Sequence, residues 1–182
     1  KIVDELLSGT STVWLLVESG NEDADQVTHE RLRRFLKQAS EETKLPDGVI
    51  PLDQAESLRS GPDEGPVDME DVLRSSVPLK IHFSTISVSR SDPEEEIFLS
   101  MLLSNSPRMR SVREKAIAIP IFGRGRMLEG MIGEAITLEH VRGATSYLCD
   151  ACSCQVKDEN PGSDTLFAVK WVDHMLGSLI IE

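Results

Sequence analysis

The three cysteines of the chain stand within six residues, as Cys149-Asp150-Ala151-Cys152-Ser153-Cys154. A Cys-x-x-Cys pair beside alternating strands and helices can act as a reversible disulfide. The same thiolates can hold zinc or an iron–sulfur cluster, each of which usually takes four ligands. Only three are present, so a fourth would come from Asp150, His174 or a second copy of the chain, and a homodimer is among the assemblies this allows. The plainer alternative is that free cysteine serves as a small buried hydrophobe. A last helix running through Cys152 would put Cys149 and Cys152 on the face of Leu138, Val141, Thr145 and Leu148. Cys154 would fall on the other side. His140 would project away from Cys149, and His82 takes the polar phase of a strand, so no Cys–His pair is readable.

Two charged clusters are the other candidates. Glu18, Glu22, Asp23 and Asp25 have oxygen ligands for a divalent cation. Their spacing does not match the calcium loop, and carboxylates at the positive end of a helix explain them more simply. Arg108, Arg110, Arg113, Lys115, Arg124 and Arg126 form a basic zone. It could meet an anionic partner, be solvated, or pair with the acidic segment 47–71. Gly123-Arg124-Gly125-Arg126 joins two strands and is not a dinucleotide fingerprint. The net charge of −12 argues against nucleic acid as a partner, because phosphate neutralisation needs clustered Lys and Arg. The charge does not argue against a cationic partner or a metal, and a protein partner is the expectation. No apolar run is long enough for a transmembrane helix.

The elements that must position these groups follow from pattern. Residues 2–7 read as the end of a helix stopped at Ser8-Gly9. Thr12–Val17 is an apolar run typical of a buried strand. An amphipathic helix is expected from Ala24 to about Thr43. Residues 44–76 carry four prolines and three glycines, and between Asp47 and Asp71 eight carboxylates against one Arg. This reads as a long acidic insertion, with short helices around Leu52–Leu58 and Met69–Leu73. Pro78–Arg90 reads as a strand with a bulge near Thr85, where the apolar phase shifts. A helix with Pro93 in its first position follows. Its stretch Ile97–Leu103 is apolar nearly all round and should be well buried. Ala116–Phe122 is a third strand, Gly123–Gly125 a tight turn, Arg126–Ile132 a fourth strand, and a last helix starts near Thr137. The tail, Leu166–Ile181, has the spacing of an amphipathic helix.

The succession strand, helix, strand, helix, hairpin, helix over residues 12–149 resembles the thioredoxin fold. The resemblance implies an α/β, thioredoxin-like three-layer sandwich (β-α-β-α-β-β-α) spanning 12–154, with 44–76 inserted, an upstream helix end in 1–11 and a C-terminal extension in 155–182. Two departures matter. Thioredoxins carry Cys-x-x-Cys directly after the first strand, where the helix dipole lowers a thiol pKa; Ser19-Gly20-Asn21-Glu22 stands there. Thioredoxins also place a cis-proline just ahead of the third strand. Pro120 lies near that place, but the turn glycines follow too soon, so cis and trans at Ile119–Pro120 are both open. The segments VWLLVESG, FGRGRMLEGMIGEAIT and CDACSCQVKDENPG are also similar to a family of uncharacterised bacterial proteins with a Cys-x-x-Cys-x-Cys-Gln-Val-Lys stretch. That family tends to have an extra upstream segment, and its likeness implies no activity.

Three functions are consistent with these residues: a non-catalytic interaction or assembly module, a thiol–disulfide enzyme or sensor on Cys149 and Cys152, and a metal or cluster carrier on Cys149, Cys152 and Cys154. A chain opening inside a helix and without Met suggests a lost leader. That points to the bacterial envelope or periplasm, with the cytoplasm open.

Overall fold

The computed structural model describes residues 1–44, 50–51, 72–73, 77, 80–149 and 162–174. Helix α1 (Ile2–Leu7) leads to strand β1 (Thr12–Val17), all six residues of which are buried. Helix α2 (Glu22–Glu42) follows. It starts two residues earlier than its apolar stripe, because Asn21 caps it: the side-chain oxygen accepts the Ala24 N–H at 3.1 Å. The sequence then forms β2 (Ile50–Pro51) and β3 (Val72–Leu73), a short parallel pair. Val72–Leu73 is thus strand, not the helix end expected there; the rest of that segment, including Leu52–Leu58, lies outside the described residues.

Strand β4 (Phe83–Val88) lies parallel to β1, and β5 (Ile117–Phe122) lies antiparallel on the other side of β1. Between them come α3 (Glu96–Ser104) and α4 (Pro107–Ser111). Short strands β6 (Arg126–Met127) and β7 (Met131–Ile132) both pair with β5, and β8 (Ser163–Asp164) extends the sheet beyond β6. The result is one mixed six-stranded sheet ordered β4-β1-β5-β6-β8, with β7 beside β5. A single 3-10 turn (Gly133–Ala135), helix α5 (Leu138–Cys149) and the short α6 (Trp171–His174) complete the described elements.

Alternation along β1 divides the core into two faces. Trp14 and Leu16 pack with Leu32 and Leu36 of α2 and Val141 of α5. Val13, Leu15 and Val17 pack with Ile2 and Leu6 of α1, Leu99 and Leu102 of α3, and Met109 of α4. Each fully buried aliphatic or aromatic side chain here contributes about 1.5–3 kcal/mol. Helices therefore cover the sheet on both sides, with β1 and β5 inside.

Several expectations need correction. The β1–β4 register runs one-to-one from Thr12↔Phe83 to Val17↔Val88, so there is no bulge at Thr85. The apolar phase shifts because β4 has half-buried residues on both faces. The fourth strand is split into β6 and β7. Leu128 N–H bonds the Pro120 carbonyl at 3.2 Å, so the missing Pro120 donor also faces residues 128–130, and the ladder breaks there. The Ile119–Pro120 bond is trans, and Pro120 lies inside β5 opposite Trp14. Gly130 fits the break because a Cβ would stand 2.6 Å from Ile117 Cγ2. Pro93 sits in a turn before α3, not in its first position, and Ile97 is 86% exposed, since only one face of α3 meets the sheet. The tail is not a helix from Leu166: Leu166 is exposed, Thr165 N–H bonds Gly125 O, and helix begins only at Trp171.

Candidate functional site

The turn from β1 into α2 lies where the parallel strands β1 and β4 end, a place where α/β sheets commonly bind ligands. A cleft of about 410 Å³ opens there, lined among others by Glu18, Glu22, Asp25, His29, Ser87 and Ser89. The turn is closed on itself. The Asp25 side chain is buried and accepts the Ser19 N–H at 2.8 Å and the Gly20 N–H at 3.0 Å. Gly20 has φ +93°, which a side chain would strain. Opposite, Arg90 Nε donates to the Glu18 carbonyl at 2.8 Å and its Nη2 to the Lys115 carbonyl at 3.1 Å. Burial holds the Arg90 guanidinium below its ordinary pKa; Arg113 adds to this and Asp25 opposes it. Asp25 thus holds the main-chain amides of the turn just before α2, while Asn21 takes the Ala24 amide of the helix itself. In the sequence Asp25 looks like any other helix-start carboxylate; its burial at the fourth position of α2 is what sets it apart.

Cys149 ends α5 on the other side of the molecule. Arg142, two turns earlier, pairs with Glu42 at the carboxyl end of α2, about 30 Å of helix from the turn at Glu22. The thiol has no disulfide partner among the described residues and is partly buried, and burial pushes it up to about 11. Cys152, Cys154 and Asp150 lie outside the described residues. His174 is exposed on α6, and His140 Nδ1 lies 2.8 Å from the Ala135 carbonyl oxygen. Among the described residues no three His, Cys, Asp or Glu side chains gather as a metal site, which includes Glu18, Glu22, Asp23 and Asp25.

No protein-family model, curated protein or solved structure matches this chain.

The basic zone is spread across the fold. Arg108 and Arg110 are on α4, Arg113 and Lys115 precede β5, and Arg124 and Arg126 follow it. The six residues of β5 separate the last two pairs by roughly 20 Å. Arg108 lies 3.9 Å from Glu129, Lys115 2.9 Å from Glu134, and Arg126 2.9 Å from Asp164. These pairings use carboxylates outside residues 47–71. No helix among the described residues is long and apolar enough to cross a membrane.

Proposed function

We propose that the protein is a non-catalytic, thioredoxin-like module whose work is to bind another protein. The chain order supports the fold reading: β1, α2, β4, α3, the β5–β6/β7 hairpin and α5 follow in the succession of that fold, with β1 and β4 parallel neighbours. The observation that carries the functional reading is the Ser19–Asp25 turn. The place where the fold would hold a nucleophile has no thiol, and the Asp25 side chain occupies the Ser19 and Gly20 amides. The thiol that does exist at Cys149 favours its protonated, unreactive form.

The test is a count of free thiols and bound metal on full-length protein purified without chelator, with and without oxygen. Three thiols that stay free and no bound metal are expected. Stoichiometric zinc or iron would favour a carrier on Cys149, Cys152 and Cys154. A disulfide with a potential near cellular poise would favour a redox role, whereas a very negative potential marks a structural bond.

A further inference from the structure

Among the described residues β4 is an edge strand of the sheet. Ser11 N–H bonds His82 O at 2.9 Å and Glu18 N–H bonds Val88 O at 3.0 Å. The main chain of the even-numbered residues therefore faces β1, and that of Phe83, Thr85 and Ser87 faces outward. No described strand pairs with that side. Natural sheets usually blunt such an edge with charge, proline or a bulge; Phe83–Val88 is Phe-Ser-Thr-Ile-Ser-Val and regular in register.

A cleft flanks the edge on each face of the sheet. On the α2 side it measures about 480 Å³ and is lined by His29, Arg33, Lys37 and His82 among others, with no carboxylate in its wall. Arg33 and Lys37 have no ion-pair partner among the described residues and lie four apart on one helix face, an arrangement that costs rather than adds helix stability. This cationic wall stands on a chain of net charge −12. On the other face a cleft of about 590 Å³ has an apolar floor that includes Ile2, Ile86, Phe98 and Phe167. Asp92, Glu94 and Glu95 also line that cleft and exclude acidic side chains from it.

We infer that β4 binds an extended segment of a partner protein in which acidic and apolar residues alternate, acidic side chains towards α2 and apolar ones towards α1 and α3. Edge pairing supplies main-chain hydrogen bonds, and the two clefts read alternate side chains. This deepens the interaction-module reading and rests on it for its biological sense, although the binding is measurable by itself.

The experiment titrates full-length protein against a fluorescein-labelled peptide of alternating glutamate and valine, eight residues long, and against its lysine–valine counterpart. Saturable binding of the glutamate peptide, at least tenfold tighter than the lysine one, is expected. Arg33→Glu with Lys37→Glu should weaken it at least tenfold. Thr85→Pro removes an outward N–H while leaving the β1 ladder intact, and should do the same; circular dichroism on each variant shows that it is folded. Equal binding of both peptides, or loss of binding on Arg110→Glu with Arg124→Glu instead, would overturn the proposal. So would a wild-type dimer that Thr85→Pro dissolves, because a second copy would then hold the edge. Thiol turnover is assayed on the same samples: turnover with peptide binding retained removes only the non-catalytic reading, and no binding without turnover removes only this one.

Discussion

The β1–α2 turn and the end of α5 each carry a group capable of chemistry, and the fold treats them in opposite ways. At the turn, the Asp25 side chain is buried but fully engaged, with two main-chain amides on it and Arg90 nearby. At the end of α5, Cys149 has no such support among the described residues, and burial raises its pKa. A buried polar group with satisfied hydrogen bonds holds structure together, whereas a desolvated thiol stays neutral. The contrast teaches that an acidic residue in the first turn of a helix can serve to fix the turn that precedes it.

Breaking the turn should have the largest effect. Asp25→Ala strands the Ser19 and Gly20 amides and is expected to cost about 2 kcal/mol, read as a lowered urea midpoint. Asp25→Asn keeps one acceptor oxygen and should cost about half as much. Equal stability of all three proteins would show that the turn is not held by Asp25. Asn21→Ala removes the cap of α2 and should cost about 1 kcal/mol. The Arg142–Glu42 pair, partly exposed at the other end of α2, should contribute less than about 1 kcal/mol and fade with salt; a double-mutant cycle at low and high salt measures it.

The smallest effect belongs to the thiol. The folded Cys149 holds its proton more tightly than the unfolded one, so its contribution to stability is present below about pH 9 and lost as pH rises towards about 11. In a Cys152→Ser, Cys154→Ser variant, iodoacetamide should alkylate Cys149 slowly at pH 7.5, with the rate rising towards pH 11. Fast alkylation at pH 7.5 would mean that α5 exposes the thiol.

Much of this was legible in the residues. The uniform apolar run Thr12–Val17 and the stripe of α2 announced β1 and its helix, because both bury a continuous surface. The strand β4 was placed but misread, since an edge strand half-buried on both faces breaks the simple alternation that marks one-sided burial. Helix α4 was overlooked although Ser106-Pro107 carries a helix-start signal. Strand β8 could not be found: Ser163–Asp164 has no strand signature and is fixed by its partners Arg126 and Met127. The role of Asp25 was hidden for the same reason, since its hydrogen bonds depend on how the chain turns at Gly20.

The most direct test of the account is turnover of a glutathione mixed disulfide by the full chain with dithiothreitol, compared with a Cys149→Ser, Cys152→Ser variant. The account predicts no turnover above background for either protein. Turnover by the wild-type chain that the double substitution abolishes would contradict it.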